Sequence, residues 1–279
     1  NIIRLVNKNS FRRSFQMTNV ISVGIQKGGS GKTTTASMLA YILSQNQKVL
    51  AIDMDGQGNM TQAITGVDDI YEFDGKSIYN ALLDENAAPY IIKVTDNLHI
   101  LAGDENINTL GSHFYIELRK QRIPYMTTLL RTIQNIKDEY DYIVIDNPPA
   151  LGELSIVSLS ASDFVVIMYE PKKFCYSSLK RYLLTIEVVQ QRVNPKLKIA
   201  GILQTMLDNR RTDYKYYSEL VRKEFGDLVF KTIIHRNAVI GRMDAFGIFG
   251  NPEIRQLTKF YQPFVEELIS RVQELSKQT

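Results

Sequence analysis

A glycine-rich stretch, QKGGSGKTTT at residues 26–35, has the residue types that hold a chain of phosphates. Its second half fits the phosphate-binding pattern G-x-x-x-x-G-K-[ST], whereas Gln26 stands where the first glycine is expected and Lys27 follows it. Glycines let backbone N–H groups approach phosphate oxygens, because no Cβ is in the way and positive φ angles are accessible. The residues expected to bind nucleotide phosphates are Gly28, Gly29, Ser30, Gly31, Lys32, Thr33 and Thr34.

Two side chains of this loop have expected chemical roles. Lys32 can bridge the terminal phosphates of a nucleotide, and the Thr33 hydroxyl can bind Mg²⁺. An apolar run at 20–25 precedes the loop and a helical pattern follows it, which is the order that a phosphate loop requires. A chance glycine-rich turn is the alternative for the loop taken alone.

Three aspartates follow apolar runs elsewhere in the chain. Asp53 and Asp55 end the run in AIDMDGQGN, and Asp146 ends the run in YIVIDNPP. Ligands of open α/β sheets bind at the carboxyl ends of the strands, so these acids should converge on the phosphate loop. Such aspartates also occur as helix caps, but three around one loop favour a site. We expect Asp146 to hold Mg²⁺ through water, Asp53 to support the metal shell, and Asp55 to position an attacking water.

Alternating apolar runs and helical patterns must position these residues. Apolar β-branched runs predict strands at 20–25, 48–53, 98–102, 142–146, 164–169 and 198–206. Helical patterns lie at 33–45, 176–193, 212–226 and about 253–277, and residues 66–125 read as irregular and helical. The fold class is therefore α/β, a doubly wound and mostly parallel sheet with helices on both faces. We predict one P-loop domain over 20–279, preceded by a basic arm at 1–19, with the last helix packed on the domain.

The composition excludes several classes of protein. Among 279 residues, 44% are hydrophobic and 23% are charged, as in soluble globular proteins, and no apolar run approaches the ~20 residues that span a bilayer. The single Cys175 and three scattered histidines make no zinc or iron–sulfur set, and one cysteine fits a reducing cytoplasm.

Positive charge is concentrated in one part of the chain. Residues 172–223 contain twelve Lys/Arg and four Asp/Glu, so this stretch carries +8 and the rest of the chain −5. Such asymmetry favours a face for a polyanion, although solvated helix surfaces would also explain it. The basic arm contains Arg4, Lys8, Arg12 and Arg13. It is interpreted as a solvated tail, with a DNA contact or a dimer contact as alternatives.

Several ordered motifs resemble the ParA-type partition ATPases. KGGSGKTTT, VLAIDMDGQGNMT and DYIVIDNPPALGELSIVSLSASDFVVIMYEP are similar to the family's deviant Walker A, Walker A′ and Walker B regions. GILQTMLDNRRT and EFGDLVFKTIIHRNAVIGRMDAFG are similar to its C-terminal segments, so the resemblance covers about residues 20–270. It departs from the family at IHRN, where His235 stands in place of the usual proline, and at RMDAFGIFGNP.

The resemblance implies an ATP-dependent homodimer in which Lys27 reaches the nucleotide of the partner subunit, with ATP and Mg²⁺ as cofactors. The implied catalytic residues are Lys27, Lys32 and Asp55, and the implied adenine contacts are Met206, Arg236 and Asn237. It also implies non-specific DNA binding through phosphate contacts. The candidate DNA-binding residues are Lys180, Arg181, Arg210, Arg211, Lys215, Arg222 and Lys223.

The function expected from this resemblance is a slow ATPase switch for plasmid or chromosome partition. The ATP dimer binds nucleoid DNA, and a centromere-binding ParB-type partner stimulates hydrolysis and release. Two alternatives stay open, a metabolic or assembly ATPase of the same superfamily and a MinD-like membrane-positioning ATPase. The second is disfavoured because the last helix mixes Glu266, Glu267 and Glu274 with Arg271 and Lys277 on its polar face, whereas a lipid-binding face is strongly basic.

Overall fold

The computed structural model of the protein describes residues 17–25, 29–110, 125–150, 152–207 and 212–278. Within these residues an eight-stranded sheet has the spatial order β3-β4-β2-β5-β1-β6-β7-β8. Every pairing in it is parallel except β3 with β4. The strands are β1 Asn19–Gly24, β2 Val49–Asp53, β3 Ile92–Lys93, β4 Leu98–Leu101, β5 Tyr142–Asp146, β6 Phe164–Tyr169, β7 Lys198–Leu207 and β8 Val229–His235.

Helices connect the strands and cover the sheet. In chain order the α-helices of the described residues are α1 Lys32–Ser44, α2 Asn59–Thr65, α3 Ile78–Leu83, α4 Thr128–Gln134, α5 Glu153–Ala161, α6 Lys173–Arg192, α7 Thr212–Phe225, α8 Ala238–Gly241, α9 Met243–Phe246 and α10 Ile254–Ser276. Short 3₁₀ turns fill much of the region between α2 and α4. No helix in the described part of the chain is both long enough and apolar enough to span a bilayer.

The side chains of β5 show how the two layers of helices are held. Tyr142 and Val144 pack in a hydrophobic cluster with α1 and α10, whereas Ile143 and Ile145 pack in a second cluster with α3, α4 and α5. Successive side chains of a strand point to opposite faces, so a strand that is apolar throughout needs cover on both. The predicted doubly wound α/β fold is confirmed.

The first strand begins one residue before the run that the sequence predicts. The strand β1 begins at Asn19, and the buried Thr18 hydroxyl donates to the carbonyls of Lys137 and Tyr140 at 2.8 and 2.7 Å. These hydrogen bonds attach Thr18, which precedes β1, to the turn before β5. Arg4, Lys8, Arg12 and Arg13 of the predicted arm lie outside the described residues.

The last helix, α10, packs against α1, β7 and β8. Phe264 and Leu268 are buried in the cluster that also contains α1. Glu267 protects the edge strand β8, since its carboxylate accepts hydrogen bonds from the backbone N–H groups of Lys231 and Thr232 at 2.9 and 3.0 Å. An edge strand with open N–H groups is a site for unwanted pairing, and this contact covers two of those groups.

Candidate functional site

The glycine-rich loop joins β1 to α1 and has the backbone that its glycines predict. Gly29 and Gly31 have φ angles of 73° and 74°, in the left-handed region that glycine adopts without strain. Gly31 is the N-cap of α1, so the N–H groups of the first turn point toward the loop. The hydroxyl of Thr205 on β7 donates to the Ser30 carbonyl at 2.8 Å and anchors the loop. Lys27 and Gly28 lie outside the described residues.

An open cleft of about 440 Å³ lies above this loop at the carboxyl edge of the sheet. Its volume is within the usual range of small-molecule sites. The residues that line it come from four segments of the chain: Gly29, Ser30, Gly31, Lys32, Thr33, Thr34, Asp55, Gln57, Asn59, Pro149 and Met206. The structure therefore brings the predicted phosphate loop and Asp55 together, as the strand order requires.

A buried ion pair lies at the floor of the cleft. The Lys32 ammonium is 2.7 Å from Oδ1 of Asp146, and the two side chains are 6% and 0% exposed. Burial raises the pKa of Asp146, and the Lys32 charge acts in the opposite direction. Oδ2 of Asp146 is buried and has no hydrogen-bond partner among the described residues. A buried carboxylate oxygen without a donor is costly, so this oxygen is available to a water or a metal shell.

Asp53 lies beside Asp146 on the adjacent strand, in register with it. Its Oδ2 accepts hydrogen bonds from the Thr61 amide and hydroxyl at 2.9 and 2.8 Å, and its Oδ1 accepts the Asp55 amide at 3.2 Å. Burial, and after it the charge of Asp146, raise the pKa of Asp53 to about 7. Asp53 therefore holds the start of α2 and the Asp55 backbone in place behind the cleft.

Asp55 has a different environment from the other two acids. It is half-buried and lines the cleft, and its Oδ1 accepts the Gln57 amide at 3.1 Å. A partly solvated carboxylate at the wall of the cleft has the position that an activating group for water needs.

Sequence reasoning missed the residues that support this site. Thr61 donates to Asp53, and its hydroxyl accepts the Gly103 amide at 2.7 Å. Thr205 anchors the loop from β7. Thr205 could have been noticed as a hydroxyl residue within a mostly apolar strand. The sequence around Gly103 indicates no role, because its contact with Asp53 depends on the pairing of β2 with β4.

The residues of this cleft fit a nucleotide with a divalent cation. The glycine backbone at 29–31 leaves space for phosphates, Lys32 supplies a cation, and the unpartnered oxygen of Asp146 can face a metal-bound water.

Comparisons with known proteins agree with this chemistry. An AAA domain family model (AAA_31) matches residues 18–199. The sporulation initiation inhibitor protein Soj of Bacillus subtilis is 37% identical over 239 residues, which are 83% of this chain and 89% of that protein. The chromosome partitioning protein ParA of Myxococcus xanthus is 33% identical over 82% of this chain and 79% of its own length.

The chain belongs to the ParA/Soj family of ATPases. The family that the sequence motifs resemble is thereby confirmed.

Solved structures show the same fold. A plasmid partition protein from Borrelia burgdorferi has a TM-score of 0.69 at 24% identity, over 91% of this chain and 99% of that one. Cobyrinic acid a,c-diamide synthase from Mycobacterium smegmatis, with bound ADP and magnesium, has a TM-score of 0.69 at 29% identity, over 83% and 93%. The predicted cofactors, ATP and Mg²⁺, are thereby confirmed as those of this group of proteins.

The adenine contacts implied by the ParA/Soj family divide into two groups. Met206 lines the cleft and has a positive φ of 55°, and its Cε lies 3.2 Å from the position a Cβ on Gly31 would take. Arg236 and Asn237 are not among the residues that line the cleft. The Arg236 amide donates to the Leu207 carbonyl, and Oδ1 of Asn237 caps α8 by accepting the Val239 amide.

The basic residues of α6 and α7 differ in exposure and in their contacts. Arg181, Lys215 and Lys223 are exposed. Lys180, 50% exposed, contacts Glu224 at 3.0 Å and lies over the Tyr176 ring, so it ties α6 to α7.

Arg222 is half-buried and donates to the Phe230 carbonyl at 3.0 Å. It also lines a groove at the amino ends of β7 and β8, at the opposite edge of the sheet from the cleft. Arg210 and Arg211 lie outside the described residues.

Proposed function

We propose that this protein is an ATP-dependent switch in the partition of a plasmid or a chromosome. In its ATP-bound state it forms a homodimer that binds DNA without sequence preference. A centromere-binding, ParB-type protein stimulates its slow hydrolysis and releases it from DNA. The observation that carries the proposal is the convergence of Lys32, Asp55 and Asp146 on one cleft beside the glycine-rich loop.

Each residue of the cleft has a distinct part in this proposal. Bound Mg²⁺ would neutralise charge on the phosphate oxygens. Thr33 and Asp146 would hold that ion, Asp146 through water, while Asp53 keeps the surrounding segment in place. Lys32 neutralises the terminal phosphates, and Asp55 orients the water that attacks them.

The proposed homodimer rests on the first lysine of the loop, Lys27. The resemblance to ParA-type ATPases implies that Lys27 reaches the nucleotide bound by the partner subunit. A cation supplied by the partner stabilises charge only when two subunits face each other, so ATP would favour the dimer.

Exposed basic residues on α6 and α7 supply the proposed DNA contact. Arg181, Lys215 and Lys223 are accessible to DNA phosphates, and Lys and Arg at phosphates bind by releasing counterions without reading sequence. The set proposed from the sequence also includes Arg210 and Arg211. Its last two members are Lys180 and Arg222, which contact Glu224 and the Phe230 carbonyl within the fold. A homodimer presents the set twice, which is a physical reason for ATP-dependent affinity. The proposed place of action is the nucleoid in the cytoplasm.

A binding assay with random-sequence duplex DNA, with and without ATP, tests the function. We expect the wild-type protein to bind DNA tightly only with ATP. We expect Lys215→Glu with Lys223→Glu to weaken binding and to lower the slope of log affinity against log salt by about one or more. Lys259→Glu, an exposed lysine on α10, is the matched control and should bind like the wild type.

Two outcomes contradict the proposal. DNA affinity that is equal with and without ATP removes the switch. ATP-dependent binding that survives the double charge reversal on α7 moves the DNA contact away from that helix.

A second candidate is a metabolic ATPase. The likeness to cobyrinic acid a,c-diamide synthase, at 29% identity, favours it. An enzyme of that class turns over ATP with a small-molecule acceptor and has no ATP-dependent DNA binding, so the same assay separates the two.

A further inference from the structure

A buried polar contact lies directly behind the nucleotide site. The side-chain amide of Asn147 is 3.5 Å from the hydroxyl of Tyr182 on α6. Both side chains are 1% exposed. Neither residue touches the cleft, and neither has a part in the nucleotide chemistry described above.

Asn147 follows Asp146 but points to the other face of the sheet. Its amide continues the parallel pairing of β5 with β1 by donating to the Val23 carbonyl at 3.1 Å. Side chains alternate along extended backbone, so Asp146 faces Lys32 of α1 while Asn147 faces the layer that contains α6. A shift of the backbone at these two residues therefore reaches both the cleft and α6.

Tyr182 also contacts the end of the strand that leads into the phosphate loop. A Cβ placed on Gly24, the last residue of β1, would lie 2.0 Å from the Tyr182 hydroxyl and 2.7 Å from Nδ2 of Asn147. The hydroxyl thus occupies space that only a glycine leaves open. One side chain of α6 touches the ends of both strands that carry the nucleotide-binding segments.

The contact between Asn147 and Tyr182 has a desolvation cost. Oδ1 of Asn147 is buried without a hydrogen-bond partner among the described residues. Two apolar side chains of similar shape would avoid the desolvation of both polar groups. A polar pair that is only partly satisfied, next to a functional residue, indicates a role other than stability.

We propose that Tyr182 and Asn147 are positioning residues that couple the nucleotide state of the cleft to the placement of α6. Tyr182 is buried and directly follows the exposed Arg181, which in turn follows Lys180 on the same helix. The pair therefore sets where these two cations stand when ATP is bound. The consequence for DNA rests on the proposed function, whereas the response of α6 to ATP does not.

Hydrogen exchange of the α6 amides, at saturating ATP and without nucleotide, tests the coupling. In the wild type we expect ATP to slow exchange across Lys173–Arg192 about fivefold or more, the usual size of coupling between sites. In Tyr182→Phe, which removes only the hydroxyl, this effect should fall below about twofold. Asn147→Ala should reduce it similarly, and the double variant should add little because the two residues share one contact.

Tyr140→Phe is the matched control. Its hydroxyl is hydrogen-bonded to Nδ1 of His99 at 2.8 Å, and the residue is 4% exposed at the amino end of β5. A purely structural hydroxyl would lower stability there without changing the ATP effect on α6. The proposal is overturned if ATP does not change hydrogen exchange of α6 in the wild type. It is also overturned if ATP slows this exchange equally in Tyr182→Phe and Tyr140→Phe.

DNA binding is measured on the same proteins. With Tyr182→Phe, the ratio of DNA affinity with ATP to that without should fall about fivefold or more. If the wild type binds no DNA while its α6 still responds to ATP through Tyr182, the partition function fails and the coupling stands.

Discussion

At the residue scale, the three carboxylates of the cleft differ in what surrounds them. Asp146 faces the Lys32 ammonium, Asp53 is surrounded by the donors of Thr61 and by the Asp55 amide, and Asp55 lies at the solvated wall of the cleft. A group that activates water must reach the reacting atoms and exchange protons. Of the three, only Asp55 lines the cleft, and its side chain is half-buried and accepts the exposed Gln57 amide rather than a cation or a buried donor.

Asp55→Ala should therefore keep ATP binding and stop turnover. Removing a water-positioning group lowers kcat by about 10² or more, while the loop and Lys32 still hold the phosphates. Single-turnover hydrolysis and fluorescent-nucleotide binding measure the two effects separately. Asp68→Ala, an exposed aspartate beyond the cleft, is the control. Turnover by Asp55→Ala at the wild-type rate would remove the proposed role.

Gly24→Ala tests the close approach of Tyr182 to β1. A methyl group at this position meets the hydroxyl at 2.0 Å and the amide of Asn147 at 2.7 Å, so we expect the free energy of unfolding in urea to fall by about 1–3 kcal/mol. The loss should be smaller in a Tyr182→Phe background, because the shortest contact is gone. Gly241→Ala, where a Cβ meets nothing within 4 Å, should be within about 0.5 kcal/mol of the wild type or more stable. Equal losses at the two glycines would show that the space around Gly24 is not restrictive.

At the element scale, the strands that the sequence predicts best are the buried parallel ones. The strands β5 and β6 begin and end where the apolar runs do, because each residue of both strands is buried. The edge strand β8 was not predicted. Its sequence VFKTIIH places Lys231 and Thr232 among apolar residues, and among the described strands it pairs with β7 alone. The structural role of Arg222 could not be predicted from the sequence either. Its hydrogen bond to the Phe230 carbonyl joins α7 to β8, a strand that the sequence did not predict.

The contact between α10 and β8 predicts how stability depends on pH. Burial raises the pKa of Glu267, but hydrogen bonds from the Lys231 and Thr232 amides and from Arg271 outweigh it, so the net pKa is lowered from 4.5. A lowered pKa contributes stability that is present above the unfolded value and is lost as the pH falls through the folded value. The contribution should therefore be complete at pH 6–7 and decline below pH ~4.5.

Glu267→Gln should reduce the free energy of unfolding by about 1 kcal/mol at pH 7 and by less at pH ~3.5. At the lower pH the unfolded wild-type chain takes up a proton that the folded carboxylate resists, so the contribution of the lowered pKa is no longer complete. Urea unfolding at the two pH values measures the difference. Glu266→Gln is the control, because this neighbouring carboxylate is exposed and accepts a hydrogen bond from Gln262 of the same helix. A gap between wild type and Glu267→Gln that is constant from pH 7 to pH 3.5 contradicts the assignment.

At the scale of the whole molecule, the cleft and the basic helices lie on one domain, and we propose that they bind different ligands. The cleft opens at the carboxyl edge of the sheet, and α6 begins directly after β6 at that same edge. Much of this arrangement follows from sequence, because parallel strands place their carboxyl ends together. The contact between Tyr182 and Asn147 does not, since it depends on the packing of α6 over the ends of β1 and β5.

The proposed requirement for two subunits is a property of the whole molecule, and Lys27 is the residue that tests it. Lys27→Ala should leave ATP binding by each subunit intact, because Lys32 and the glycine backbone hold the phosphates. It should lower kcat by about 10² or more and prevent ATP-dependent dimerisation, since each site loses the cation of its partner. Sedimentation velocity with ATP, in an Asp55→Ala background that prevents turnover, measures the dimer. Lys76→Ala, an exposed lysine away from the cleft, is the control. Lys27→Ala subunits that dimerise with ATP as the control does would assign this lysine to its own subunit and remove the reason for a shared site.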